Sequence, residues 1–144
     1  MARTTRFREQ HSDLLKVAAE LDGLLVESQL AQDATNARRC LSGLLGKLVV
    51  HIGTEDKVLY PELRAHKDAA VATLATRFAK EMEGTANAVK AYSDKWPAPS
   101  AIRQNPKAFI ADTKGVLRVL ADRIRRENSE LYAAADRLEG VEFA

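Results

Sequence analysis

Two related motifs carry the residues of this chain that could bind a metal ion. His51 and Glu55 form an H-x-x-x-E motif, which places an imidazole and a carboxylate one helical turn apart on the same face, a spacing suited to chelating a cation. Arg123 and Glu127 repeat the spacing as R-x-x-x-E. The first motif can bind a cation, whereas the second supplies a cation of its own.

The two motifs lie in longer segments that resemble each other. The first segment, Leu48 to Tyr60, reads LVVHIGTEDKVLY, and the second, Leu120 to Tyr132, reads LADRIRRENSELY. Both segments carry leucine, isoleucine, glutamate, leucine and tyrosine at matching positions. The segments differ at the position that matters most for metal binding, where a histidine in the first is an arginine in the second.

Helical periodicity organises the rest of the chain. Apolar residues recur at alternating spacings of three and four in four long stretches, and this pattern is typical of amphipathic helices. Asp33 is expected to cap the second helix, Pro61 to end or kink it, and Pro106 to lie in the first turn of the fourth. The predicted helices cover residues 5–28, 33–60, 68–96 and 106–138. The segment 97–106, PAPSAIRQNP, is expected to be an irregular connection. We therefore predict an all-α fold, an up-down-up-down antiparallel four-helix bundle.

The same periodicity predicts which side chains face the core. Val58 also falls on the apolar face of the second helix. Five ionisable residues fall on the core-facing side as well: His11, His51, Glu55, Arg123 and Glu127. They can be buried only if they are paired or bind a metal. We expect His11, His51, Glu55 and Glu127 to meet in one layer, with Met82 of the third helix near it. The expected core comprises Phe7, Leu14, Leu44, Leu48, Phe78, Val89, Val116, Leu120 and Leu131.

Composition limits the class of protein. The chain has 144 residues, 46% hydrophobic and 29% charged, with a formal net charge of +2. These values predict one globular domain, residues 1–144, with no nucleic-acid partner because the charges are mixed along the chain. The only cysteine, Cys40, excludes an internal disulfide. No apolar run reaches ~18 residues and no secretory signal is recognisable, so we expect a cytoplasmic protein without a membrane partner. A homodimer or a protein partner remains open.

The chain resembles the hemerythrin-like, or HHE cation-binding, domain. The resemblance covers nearly the whole chain and rests on F-R-E-Q-H at Phe7–His11 and on H-I-x-x-E-D-x-x-L-Y-P at His51–Pro61. In that family the first helix provides a histidine and the second provides H-x-x-x-E. The third provides one or two histidines, and the fourth provides a histidine followed by a carboxylate. Together these residues hold two irons that the carboxylates bridge.

Compared position by position, the chain keeps only part of that ligand set. Its matching residues are His11, His51, Glu55 and Glu127, which implies one divalent metal ion, iron first, with zinc and manganese left open. Arg123 stands in place of the fourth-helix histidine and Met82 where a third-helix histidine is expected. The resemblance therefore implies a degenerate di-iron site, in which we expect Arg123 to pair with Glu127, Glu55 or both.

Three interpretations of the site follow. The first is a single-metal protein used in iron, oxygen or redox sensing, and not in reversible O2 transport, which needs two irons. The second is a metal-free interaction or regulatory module, in which Arg123 replaces the metal charge in a buried polar network. The third is a complete di-iron site that recruits Glu81 and a tyrosine, Tyr60 or Tyr132, as extra ligands. The chain has no nucleophile–base pair and no phosphate-binding loop, which favours a non-enzymatic protein and leaves an enzyme open.

Overall fold

The computed structural model describes residues 4–143, with side chains for residues 4–137. The described part contains helices and short connections and no strand, so the all-α prediction is confirmed. Its α-helices are α1 Thr5–Gly23, α2 Glu27–Gln32, α3 Thr35–Thr54, α4 Tyr60–Arg64, α5 Ala69–Lys95, α6 Pro99–Gln104, α7 Pro106–Arg126 and α8 Tyr132–Phe143. Two π-helical turns, π1 Glu55–Leu59 and π2 Glu127–Leu131, join α3 to α4 and α7 to α8. Within residues 4–143, no helix is both long enough and apolar enough to span a membrane.

The π-helical turns make two long helices out of four shorter ones. Residues 35–64 are helical without a break, and so are residues 106–143. The second predicted helix therefore runs past Pro61, and the fourth runs past its expected end. Two other expectations were wrong: α1 ends at Gly23, well before residue 28, and α6 occupies part of the segment expected to be irregular. The third predicted helix agrees with α5 within one residue at each end.

Short polar side chains begin the long helices. The Asp68 carboxylate accepts a hydrogen bond from the Ala70 backbone N–H at 2.9 Å at the start of α5, and Asn105 Oδ1 accepts one from Ala108 at the start of α7. These bonds satisfy N–H groups that lack a partner within the helix. Asp33 accepts from the Thr35 backbone N–H at 2.9 Å, one residue before the cap position of α3.

The long helices pack against one another around two apolar clusters. Helix α1 lies along α3 and also contacts α7, while α5 lies along α7 and contacts α4. The larger cluster includes Leu14, Leu48 and Ile124. The smaller cluster, at the other end of the same helices, includes Leu59 and Leu131. Two separate apolar clusters leave a layer between them, and the polar residues occupy that layer.

The predicted core is largely confirmed. Of the nine apolar residues expected to be buried, only Val116 is merely half-buried. The prediction that Val58 faces the core was wrong, since Val58 is 55% exposed while the next residue, Leu59, is 1% exposed. The reason is π1, because a π-helical turn inserts one extra residue and moves the buried face forward by one position.

Candidate metal centre

The candidate site lies at the boundary between the two apolar clusters. On α1, His11 lies between Phe7 of the smaller cluster and Leu14 of the larger one. His51 and Glu55 hold the equivalent place on the segment α3–π1, and Glu127 on the segment α7–π2. All four of these ionisable side chains are at most 1% exposed. The three helical segments therefore deliver two imidazoles and two carboxylates to one buried point.

The ligand atoms of these four side chains converge. One nitrogen or oxygen from each of His11, His51, Glu55 and Glu127 lies within 4.8 Å of the other three. The two Nε2 atoms are 2.9 Å apart. Glu127 Oε1 is 3.1 Å from Nε2 of His11, and Glu55 Oε1 is 3.0 Å from Nε2 of His51. The expectation that the four would meet in one layer is thus confirmed.

Both carboxylates stand at the first residue of a π-helical turn. Glu55 begins π1 and Glu127 begins π2. A π-helical turn is wider than an α-helical one and occurs often at functional sites. Each turn ends at a leucine, which a tyrosine follows, and all four of these residues are at most 1% exposed. The π-helical turns therefore keep the carboxylate and the tyrosine on the same buried face of one segment.

Burial controls the charges of the site. Burial, with a smaller effect of His11, lowers the pKa of His51 to about 4, so this imidazole is neutral at pH 7 and has a lone pair to offer. Burial, reinforced by Glu127, raises the pKa of Glu55 to about 10. Burial alone would raise the pKa of Glu127, but its contacts with His11 and Glu55 lower it. Without a cation, the proton that the two carboxyl groups share therefore resides on Glu55.

Two buried phenols cross-link the two halves of the chain at the site. Tyr132 Oη donates to Glu55 Oε2 at 2.8 Å, and Tyr60 Oη donates to Glu127 Oε2 at 2.9 Å. Each tyrosine thus holds the carboxylate of the other motif. Burial raises the pKa of both phenols far above the usual value, so both remain protonated donors. As candidate extra ligands they lie at the site, with Tyr132 Oη 3.2 Å from His11 Nε2.

Two further residues lie at the site that were not predicted from the sequence. Gln10 Oε1 lies 2.7 Å from Nδ1 of His51, and Asn128 Oδ1 lies 2.9 Å from Nδ1 of His11. Each amide directly adjoins a ligand candidate in the chain. Helical phase did not single them out, because both residues are only half-buried and neither is ionisable. Their position beside His11 and Glu127 was the available signal.

Arg123 is buried as expected but has a different partner. Its Nη1 donates to Glu81 Oε2 at 2.6 Å, and its guanidinium lies 5.0 Å from the centre of the Phe78 ring. The pairing expected with Glu55 or Glu127 was therefore wrong. The physical reason is that Tyr60 and Tyr132 already donate to those carboxylates. Nε and Nη2 of Arg123 are buried without a hydrogen-bond acceptor.

Glu81 is not among the four converging ligand groups, and Met82 is buried beside a groove. Met82 is 2% exposed and lines a groove of about 450 Å³ together with Asp56. The side chain of Glu81 is 38% exposed and contacts Arg126 at 3.3 Å as well as Arg123. These contacts lower the pKa of Glu81, although burial alone would raise it. Glu81 therefore forms ion pairs with the guanidinium groups of Arg123 and Arg126 and lies outside the His/Glu cluster.

The chain belongs to the hemerythrin HHE cation-binding domain family, whose model matches residues 3–135. Comparisons with curated proteins and with solved structures found no match. Hemerythrin-like domains bind metal ions, and the buried His/Glu cluster of this chain is able to hold one.

The donor set of the cluster fits a divalent cation. Two imidazole nitrogens and two carboxylate oxygens suit iron, zinc or manganese. Atoms bound to one zinc ion lie at most about 4.4 Å apart, so the four atoms need only a small movement to bind together. Glu55 Oε1 is buried without a hydrogen-bond donor. A cation at this point would satisfy that oxygen and both facing Nε2 atoms at once.

Proposed function

We propose that this protein binds a single divalent metal ion, iron first, through His11, His51, Glu55 and Glu127. The same proposal makes it a sensor of iron, oxygen or redox state, and not a reversible O2 carrier. We further propose that the four long helical segments are arranged up-down-up-down, that the chain forms one domain, and that the protein is cytoplasmic. The family assignment supports metal binding in general, and the remaining details are inferences from the residues.

The observation that carries the proposal is the convergence of buried lone pairs. Four ligand atoms lie within 4.8 Å of one another, and Oε1 of Glu55 is buried without a hydrogen-bond partner. Burying such groups without a partner is unfavourable, and a bound cation provides the partner. The proposal of one metal is supported by Arg123, whose buried guanidinium stands on the second motif and repels a second cation.

The four side chains would hold the ion and leave coordination positions of iron or manganese unfilled by protein atoms. Four protein ligands satisfy a tetrahedral ion, whereas iron and manganese also accept additional ligands. Tyr60 and Tyr132 donate hydrogen bonds to the carboxyl groups of Glu127 and Glu55 and so fix their orientation. The bound iron would supply redox chemistry, and the apolar clusters on both sides of the layer would exclude bulk water from it. A small molecule that reaches the ion would change its ligand set, which is the physical basis of a sensor.

A second candidate function is a metal-free interaction or regulatory module. The observation that favours it is the ion pair of the buried Arg123 with Glu81, at 2.6 Å, in the half of the chain that lacks histidines. In this alternative the His/Glu cluster is a hydrogen-bonded network that shares one proton. A homodimer or another protein would be its partner.

The metal content of protein purified without an affinity tag tests the proposal. We expect about one divalent ion per chain, fully lost in His51→Ala and Glu127→Ala variants that remain helical by circular dichroism. The matched control is His66→Ala, because His66 lies between α4 and α5 outside the cluster. A content near zero after reconstitution with ferrous, zinc and manganous salts would support the metal-free module. A content near two would show a complete two-metal site.

A further inference from the structure

The two histidines of the candidate metal centre are both held at the nitrogen that faces away from the cluster. Nδ1 of His51 contacts the side-chain oxygen of Gln10 at 2.7 Å, and Nδ1 of His11 contacts that of Asn128 at 2.9 Å. An amide oxygen accepts a hydrogen bond and cannot donate one. Each contact therefore requires a proton on Nδ1 of the imidazole.

The protonation of Nδ1 decides which nitrogen can bind a metal. A neutral imidazole with its proton on Nδ1 has its lone pair on Nε2. Both Nε2 atoms point into the cluster, where they lie 2.9 Å apart. At that distance their two lone pairs repel each other unless a cation or a proton lies between them. The more common arrangement, with the proton on Nε2, would place N–H groups where a cation has to bind.

We infer that Gln10 and Asn128 are positioning residues that hold His51 and His11 in the metal-binding tautomer and thereby raise the affinity of the site. This inference rests on the proposed function for its consequence, metal affinity. The tautomer itself is a property of the metal-free protein. Neither amide lies among the four converging ligand groups, and both act through a histidine.

The arrangement crosses between chain segments. Gln10 precedes His11 on α1 but contacts His51 of α3, and Asn128 follows Glu127 on π2 but contacts His11 of α1. The segment π2 is itself held to α1, because Arg8 Nη2 donates to the Asn128 backbone oxygen at 3.2 Å. His11 and His51 are thus each oriented by a residue of another segment, so the packing of the helices and the orientation of the imidazoles are coupled.

Nitrogen-15 NMR of the imidazoles in the metal-free protein tests the tautomers directly. We expect Nδ1 to be protonated in both His11 and His51 of the parent. In Gln10→Met the signal of His51 should shift to the tautomer with the proton on Nε2, and in Asn128→Leu the signal of His11 should do so. A parent in which Nδ1 of either histidine lacks a proton would overturn the inference, and so would variants whose tautomers remain unchanged.

Metal affinity, measured by competition with a chelator, tests the consequence. Outer hydrogen bonds to ligating histidines are worth about 10- to 100-fold in affinity, and we expect a loss of that size in Gln10→Met and in Asn128→Leu. Gln10→Glu and Asn128→Asp retain an oxygen acceptor and should restore most of it. The matched controls are Gln29→Met and Asn87→Leu, because both residues are exposed, and these should bind like the parent.

The two measurements separate this inference from the proposed function. A parent with protonated Nδ1 atoms that binds no metal would contradict the proposed function and leave the positioning of the imidazoles supported. A parent that binds one metal ion, with Met and Leu variants of equal affinity, would support the proposed function and overturn the inference. Unfolding curves of each variant show whether a loss of affinity merely follows a loss of folding.

Discussion

Tyr132 donates its phenolic hydrogen to Glu55 across the molecule, with 2.8 Å between Oη and Oε2. The two residues belong to the two different motifs, and Tyr60 makes the corresponding bond to Glu127. The relationship between the motifs is therefore more than a resemblance in sequence. In space, each motif completes the hydrogen bonding of the carboxylate in the other.

Tyr132→Phe tests this cross-link. The substitution leaves Glu55 Oε2 buried without its donor, and an unsatisfied buried group costs about 1–3 kcal/mol. We expect that loss in the free energy of unfolding, measured by urea denaturation, together with a roughly 10-fold weaker metal affinity, because the carboxylate loses its fixed orientation.

Tyr92→Phe is the matched control for that variant. Tyr92 Oη is also buried and hydrogen-bonded, to Thr113 at 2.6 Å, but it belongs to the larger apolar cluster. Tyr92→Phe should lose stability and retain the metal affinity of the parent. Equal metal affinities in the two variants would contradict the role assigned to Tyr132.

The residues of the buried His/Glu cluster and the long helices could be predicted from the sequence, because an α-helical period places His51, Glu55 and their apolar neighbours on one face. The π-helical turns could not, since the extra residue they insert depends on packing around Glu55 and is not encoded in a spacing. The position of Val58 was wrong for that reason. The partner of Arg123 was also wrong, because the direction of a long side chain depends on which acceptors the other helices leave available.

The Arg123–Glu81 pair leads to a second prediction. Glu81→Gln weakens the one acceptor that Arg123 contacts, and because the Glu81 side chain is 38% exposed, water offsets part of the loss. We expect a destabilisation of about 1 kcal/mol, whereas Glu83→Gln, at an exposed position two residues on, should lie within about 0.5 kcal/mol of the parent.

Arg123→Met completes this test. Replacing a buried ion that has unsatisfied donors by an apolar side chain is often neutral or stabilising, so we expect this variant to be at least as stable as the parent in chemical denaturation. In the Arg123→Met background, Glu81→Gln should no longer be destabilising. A loss of several kcal/mol in Arg123→Met would indicate that the guanidinium stabilises the buried carboxylates after all.

Trp96, in the larger apolar cluster, offers a pH-dependent signal outside the candidate metal centre. Hydrogen bonds from Lys95 and from the Trp96 indole, at 2.7 and 3.1 Å, lower the pKa of Asp112 below its usual value. Because the folded pKa is the lower one, this stabilisation is complete above the unfolded pKa of about 3.9 and is lost as the pH falls through the folded pKa.

Fluorescence of the single tryptophan measures this titration. In the pH range where circular dichroism remains helical, we expect a transition with its midpoint below 3.8, the usual value for this carboxyl group. Asp112→Asn should abolish the transition and leave the metal content unchanged. A midpoint at or above the usual value would show that the two hydrogen bonds do not hold the carboxylate in solution.

The last prediction concerns the half of the chain that lacks histidines. Asp56 stands in the first motif where Asn128 stands in the second, and it shares a groove with Met82. Glu81 contacts Arg123 much as Gln10 contacts His51. Acceptors suited to orienting two imidazoles are therefore present beside Met82 and Arg123, although the imidazoles are missing.

We expect the double variant Met82→His/Arg123→His to bind a second divalent ion. The change supplies two ligands, removes the guanidinium that repels a cation, and leaves Asp56 and Glu81 as acceptors for the new Nδ1 protons. The metal content should rise from about one to about two ions per chain, with a smaller rise in either single variant. The control variant Lys80→His/Arg125→His places its two histidines at exposed positions, each two residues from one of the positions tested. Its metal content should remain at about one ion per chain. A double variant that still binds one ion would show that the acceptors alone do not make this half competent for metal.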